Sequence, residues 1–171
     1  MNVIYISGCS CTGKTTLARL IIERSGGITD FRDGFTATKS NIVLAGRYQG
    51  IKYGGYDDMG KFKKPPFDHK TFIYEGTRIG RVNSEIGDFI IENNGVLVFM
   101  YAPLKTIAER LKARSNTKVT PNIIKDFKAA YSAAKKFKEI GLRVITLNAS
   151  ELTTEQCYNQ IKQYLHNEKT L

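Results

Sequence analysis

Cysteine is scarce in this chain, with three among 171 residues. Cys9, Cys11 and Cys157 make neither a disulfide framework nor a zinc pattern, because the Cys-x-Cys pair has no second ligand pair. A reducing cytoplasm is therefore the expected compartment. No apolar run approaches the ~20 residues of a membrane-spanning helix, and the apolar stretch at the start is short and lacks a leading basic segment. A soluble protein that is neither exported nor membrane-bound is expected. Internal repeats and low-complexity segments are missing too. Acids are outnumbered, with 16 Asp and Glu against 26 Lys and Arg, for a net charge of +10. That imbalance suits a polyanionic substrate or partner, or else a solvated basic surface. The length and a 42% hydrophobic content fit one compact domain spanning residues 1–171.

What is present alternates. Asn2 to Ser7, "NVIYIS", is a β-branched and aromatic run ending at a glycine, and Leu17, Leu20 and Ile21 follow at helical spacing. "KTFIYEG" (Lys70 to Gly76), "GVLVFMYAP" (Gly95 to Pro103) and "LRVITLNAS" (Leu142 to Ser150) are further buried-strand candidates. Val82, Ile86, Phe89 and Ile90 mark an amphipathic helix closed by "ENNG", and Cys157, Ile161, Tyr164 and Leu165 mark a final one. Asn122 to Ile140 predicts a long basic helix. Such alternation predicts an α/β fold: a parallel sheet with helices on both faces and right-handed crossovers. Asp30 to His69 breaks the pattern. Its many glycines, Pro65 and Pro66 leave only "NIVLAG" as a strand candidate, so a loop-rich insertion at the sheet edge is expected, most irregular over about residues 46–69.

Gly8, four residues, then Gly13, Lys14 and Thr15 satisfy G-x-x-x-x-G-K-[ST], with the required strand before and helix after. Glycines let backbone N–H groups converge on phosphate oxygens, the lysine reaches the β and γ phosphates, and the Thr15 hydroxyl is a magnesium ligand. Gly8, Cys9, Ser10, Cys11, Thr12, Gly13, Lys14, Thr15 and Thr16 are thus the expected contacts to ATP, with Mg2+ as the metal. A GTPase should carry an Asn-Lys-x-Asp type stretch, and none occurs. A motor would need more chain.

The phosphate loop, the size and "IAERLKARSN" resemble the small P-loop kinases, a group holding nucleotide kinases, gluconate-type kinases and 5′-hydroxyl polynucleotide kinases. The resemblance covers most of the chain outside Gly46 to His69 and implies a three-layer P-loop NTPase fold with strand order 2-3-1-4-5. It also implies a lid, over about residues 110–122, carrying Arg110 and Arg114. Independently, two guanidiniums four residues apart lie on one helical face and can fork onto phosphate oxygens; a solvated helix face is the plainer alternative. Asp33, nineteen residues after Lys14, falls near the position where polynucleotide kinases keep the acid that takes the acceptor's proton. It also belongs to an Asp-Gly pair common in turns. Glu75, ending "FIYEG", takes the position of the Walker B acid and pairs with Thr15 as a metal-site candidate. Arg78 follows as a candidate contact to a substrate phosphate.

On the acceptor side, "GRYQGIKYGGYDDMGKFKKPPF" (Gly46 to Phe67) interleaves Tyr48, Tyr53, Tyr56, Phe62 and Phe67 with Arg47, Lys52, Lys61, Lys63 and Lys64. Aromatic faces stack on bases while cations follow a phosphate backbone. Arg47, Tyr48, Tyr53, Tyr56, Asp57 and Asp58, together with Lys39 upstream, are candidate substrate contacts. The two acids are placed to hydrogen-bond a sugar or base edge, or to accept a proton. The "GRY…YGG" segment resembles one in phage-encoded P-loop kinases, including enzymes that phosphorylate 5-hydroxymethyluracil in DNA. The expected activity is ATP-dependent phosphorylation of a nucleic-acid hydroxyl, either a 5-hydroxymethylpyrimidine in DNA or a 5′ end. The alternatives are a nucleoside or nucleotide kinase and a nucleic-acid-binding ATPase module.

Overall fold

Alternation along the first strand, β1 (Asn2–Ser7), sets two faces. Successive strand side chains point to opposite sides, and here both sides are apolar: Val3 and Tyr5 enter one buried cluster, Ile4 and Ile6 another. Such a strand needs cover above and below, and the helices supply it. In the computed structural model, which describes residues 1–50, 55, 59, 61–65, 70–77, 84–116 and 118–165, the chain continues as α1 (Lys14–Arg24), β2 (Ile28–Arg32), β3 (Phe35–Thr38), β4 (Ile42–Ala45) and β5 (Thr71–Gly76). It then forms α2 (Glu85–Glu92), β6 (Val96–Tyr101), α3 (Leu104–Ser115), α4 (Pro121–Glu139), β7 (Arg143–Asn148) and α5 (Thr154–Leu165). Ile86, Phe89 and Ile90 of α2 and Ala130, Ala134 and Phe137 of α4 cover the Val3 and Tyr5 face. Leu17, Ala18 and Ile21 of α1 and Cys157, Ile161 and Leu165 of α5 cover the other. The result is a sheet between two helical layers. No described helix is long and apolar enough to cross a membrane.

The sheet has seven strands in the order β2-β3-β4-β5-β1-β6-β7, which differs from the five-stranded order expected. The difference lies at one edge. β4, β5, β1, β6 and β7 are mutually parallel where they pair, whereas β2 and β3 are antiparallel additions outside β4. These two strands lie where the sequence led us to expect a loop-rich stretch. Their cause is local: Asp33 and Gly34 both take positive φ, 55° and 92°, the combination that closes a two-residue hairpin in the sense of the strand twist. A second turn, closed by Asn41 N–H donating to the Thr38 carbonyl at 3.1 Å, delivers the chain into β4.

Register places the functional rim. Ser7 pairs with Gly76 of β5 and with Phe99 of β6, so the carboxyl ends of the central strands lie side by side. The chain leaves β1 for one half of the sheet and later returns to build the other, which opens a crevice at this end. A third apolar cluster, Cys9, Ala102, Ile107 and Leu111 with Val119, Ile123 and Phe127 against it, seats α3 and the start of α4 over that rim.

Candidate functional site

The loop between β1 and α1 is held in an uncommon conformation. Gly8, Cys11 and Gly13 have φ of 150°, 63° and 89°. A Cβ on Gly8 would run into the Met100 carbonyl oxygen of β6, so only glycine allows that approach. Gly13 caps α1 with a left-handed backbone and no side-chain hydrogen bond, and the first turn of α1 carries no acid. The helix thus brings no acid of its own to its first N–H groups and to the positive end of its dipole. Within the loop, the Thr12 hydroxyl donates to the Cys9 carbonyl at 2.8 Å, and Lys14 Nζ donates to the same carbonyl at 2.9 Å. Lys14 is only 5% exposed, its stem drawn under the loop.

Around this loop lies a cavity of about 800 Å³, within the range of small-molecule and cofactor sites. Its lining combines Ser10 to Thr16, Glu75 and Thr77 at the end of β5, Met100 of β6, Arg110 and Arg114 of α3, and Ala149, Leu152, Thr153, Thr154 and Cys157 at the β7–α5 junction. Glu75 is buried. The Thr15 hydroxyl donates to its Oε1 at 3.2 Å and the Tyr48 hydroxyl donates to its Oε2 at 3.3 Å. Gly55 lies against the same carboxylate so closely that a Cβ there would meet Oε2. Arg110 donates from Nη1 to the Cys11 carbonyl at 3.2 Å and from Nη2 to the Ala149 carbonyl at 2.6 Å, tying the loop to the β7–α5 wall. Arg114, one turn on, lines the cavity and is exposed.

Of the expected ATP contacts, Ser10 to Thr16 line the cavity, while Gly8 and Cys9 sit behind them. Cys9 Sγ donates to the Ile123 carbonyl at 3.6 Å. Burial pushes its thiol pKa up, outweighing the opposing pull of the Lys14 charge. Burial raises the Cys157 thiol as well. Lys14, Thr15, Glu75, Arg110 and Arg114 all line this one cavity. For a magnesium ion the fit rests on two oxygen donors, Thr15 and Glu75. No group of three His, Cys, Asp or Glu that could hold a metal occurs among the described residues. Magnesium is commonly held by one or two protein oxygens, with waters and substrate phosphates completing the shell.

Other candidates are placed differently. Asp33 stands at the hairpin tip, 60% exposed and 3.4 Å from the Arg32 guanidinium, and does not line the cavity. It shares the functional rim, since Gly46 after β4 donates its N–H to the Gly34 carbonyl, but lies two strands out from β5. Lys39 follows β3, which runs antiparallel to β4, so it lies at the opposite rim, against Gly26 and Gly27. Arg47 is exposed and its guanidinium stacks 5.1 Å from the Phe31 ring centroid. Tyr48 does not form an open stacking face: it is buried among Ile4, Ile42 and Leu44, because its ring completes the α1-side core and its hydroxyl reaches Glu75. Tyr53, Tyr56, Asp57, Asp58 and Arg78 lie outside the described residues.

The sequence reading passed over the β7–α5 wall. Thr153 and Gln156 form a reciprocal capping box there, with Thr153 N–H donating to Gln156 Oε1 at 2.8 Å and Gln156 N–H donating to Thr153 Oγ1 at 3.2 Å. The T-x-x-Q spacing was the available signal, and a parallel β7 necessarily ends on the rim where β1 ends. No protein-family model matches the chain, and no curated protein matches its sequence.

Proposed function

We propose that the protein is an ATP-dependent P-loop kinase that transfers the γ phosphoryl group to a hydroxyl of a nucleic-acid substrate, a 5-hydroxymethylpyrimidine in DNA or a 5′-hydroxyl end. The observation that carries this reading is the convergence of Lys14, Thr15, Glu75, Arg110 and Arg114 on one cavity at the carboxyl ends of β1 and β5. Phosphoryl transfer asks for little covalent chemistry from the protein and much positioning of positive charge. Loop N–H groups and the α1 terminus hold the phosphates. Lys14 swings from the Cys9 carbonyl to the β and γ oxygens. Arg114 adds charge as the transition state forms, while Arg110 fixes the loop against the β7–α5 wall and presents the rest of its guanidinium to the cavity. Magnesium held at the Thr15 hydroxyl, with Glu75 accepting from one of its waters, would neutralise phosphate charge. The acceptor oxygen bonds to the γ phosphorus as the bond to the β–γ bridging oxygen breaks, and the acceptor proton passes to a carboxylate. Glu75 is the described carboxylate in the cavity and takes that role here. Ala149 and Leu152 offer an apolar wall to the donor nucleoside.

Support for a polymeric acceptor is electrostatic: a net charge of +10 exceeds what one small anionic substrate requires. A base within a duplex must be flipped out before its hydroxymethyl group can meet the γ phosphate. The test is transfer from γ-labelled ATP to unmodified DNA with 5′ hydroxyls, hydroxymethyluracil DNA with blocked ends, and the matching mononucleotides. Label on either DNA is the expected result. Label on mononucleotides alone overturns the polymer reading, and label on nothing overturns the kinase.

A further inference from the structure

Helix α4 shows solvent a patterned face. Ile124, Lys128, Tyr131, Lys135 and Lys138 follow one another by four, three, four and three residues, the spacing that keeps side chains on one side of a helix, and all five are exposed. Tyr131 is the unusual member. It is 49% exposed, yet its ring is held from below by three aromatic neighbours: Phe99 edge-on at 5.2 Å between centroids, Phe127 at 5.8 Å and Tyr101 at 6.2 Å. An aromatic surface that is both open and fixed loses little side-chain entropy when another ring covers it. Lys128 and Lys135 stand about one turn to either side, roughly 4.5 and 6 Å along the axis. The Lys135–Glu139 contact at 3.8 Å is solvent-exposed and holds the lysine only weakly.

Two further observations give this face a direction and a partner. Charge is segregated on this side of the sheet: α2 exposes Glu85, Asp88 and Glu92, while α4 carries Lys125, Lys128, Lys135, Lys136 and Lys138 against Asp126 and Glu139. Of these two helices α4 is the positive one, and the acids of α2 have Lys64 beside them. The first turn of α4 also sits on the loop that lines the cavity, through the Cys9 thiol on the Ile123 carbonyl and the packing of Ile123 and Phe127 with Ile107 and Leu111.

We propose that this face of α4 is a track for a single strand of nucleic acid, with one base stacked on Tyr131, phosphates on Lys128 and Lys135, and the strand leading toward the cavity. Base–aromatic stacking between cations is the recurrent physics of sequence-tolerant strand binding. The choice of a polynucleotide over other polyanions rests on the acceptor reading above.

The test is fluorescence anisotropy of a labelled oligothymidine with the full chain, without ATP and over a salt series. Tyr131→Leu keeps an apolar side chain over Phe99 but removes the π face, and should weaken binding about 10-fold or more, whereas Tyr131→Phe should bind like wild type. Lys128→Ala with Lys135→Ala, both surface changes, should reduce the slope of log affinity against log salt by about 1.4. Wild-type affinity in both Tyr131→Leu and the lysine variant overturns the track, as does a wild-type protein that binds no oligothymidine. Substitutions that abolish self-association in sedimentation, with strand binding unchanged, assign the face to a contact between copies and also overturn it. Transfer to DNA that ignores these substitutions removes the track and leaves the kinase. Tyr131-dependent binding with no transfer to any acceptor removes the kinase and leaves the track.

Discussion

Two short glycine-bearing connections on the same rim of the sheet have had opposite fates. The loop after β1 and the turn after β2 both contain non-glycine and glycine residues at positive φ, Cys11 with Gly8 and Gly13 in one, Asp33 with Gly34 in the other. Both also hold residues of the type needed for phosphoryl transfer. The first connection joins a buried parallel strand to a helix, and α3, α4 and the β5 end close over it. The second joins two antiparallel edge strands, and its carboxylate meets water and Arg32. The lesson is that motif chemistry becomes site chemistry through the neighbours that surround it. A carboxylate at a topological switch point has partners on several elements, as Glu75 has in Thr15 and Tyr48, with Gly55 packed close against it. One at a hairpin tip has a turn to satisfy.

The strongest way to break this contrast is at the lysine. Lys14→Ala should lower kcat about 10² to 10³-fold, since it removes a cation aimed at developing phosphate charge. Its thermal unfolding should stay close to wild type, because the lost hydrogen bond to the Cys9 carbonyl leaves an acceptor that Thr12 still serves. A near-native rate for phosphate transfer would return the β1–α1 loop to the status of a structural turn. Next comes the carboxylate pair. Glu75→Gln conserves volume and should cost about 10² in kcat, while Asp33→Asn, a residue equally at ease with positive φ, should stay within about 3-fold. Steady-state kinetics with saturating ATP measures both. The reverse ranking would move the proton acceptor out to the hairpin.

How much of this was readable beforehand follows the same line. β1, the loop, α1 and the strands around β5, β6 and β7 were legible because both-sided apolar runs and glycine spacing are local signals that burial reinforces. The hairpin was misjudged although Asp33-Gly34 is a strong turn pair. β2 is short and half exposed, with no apolar run to announce it, and its existence depends on pairing with β3. Tyr48 was misjudged for a different reason. In sequence it alternates with cations like its neighbours, and only three-dimensional packing shows its ring in the core and its hydroxyl on a carboxylate 27 residues away. The β7–α5 wall needed the sheet itself, since its residues are unremarkable until β7 is set parallel to β6.

The smallest effect tests the comparison inside the loop itself, between two thiols separated by one residue. Cys11 and Cys157 both line the cavity, but Cys11 is half-buried whereas Cys157, like Cys9 behind the loop, is buried, and burial pushes both buried thiols up from the ordinary 9.0. Iodoacetamide near neutral pH should modify Cys11 first, and ATP should slow that reaction while leaving the slow Cys9 thiol unchanged. Mass spectrometry of the labelled peptides reads this directly. The raised pair also has a signed consequence for stability. Each buried thiol keeps its proton in the folded chain at a pH where the unfolded chain has lost it, so unfolding releases protons and folding weakens as pH climbs above about 9. Below that the contribution is level. Cys157→Ala should therefore lose stability less steeply than wild type as pH rises above about 9, with parallel curves below. Equal slopes throughout would mean that the Cys157 side chain meets water, and that the α5 side of the cavity wall is more open than its packing against α1 implies.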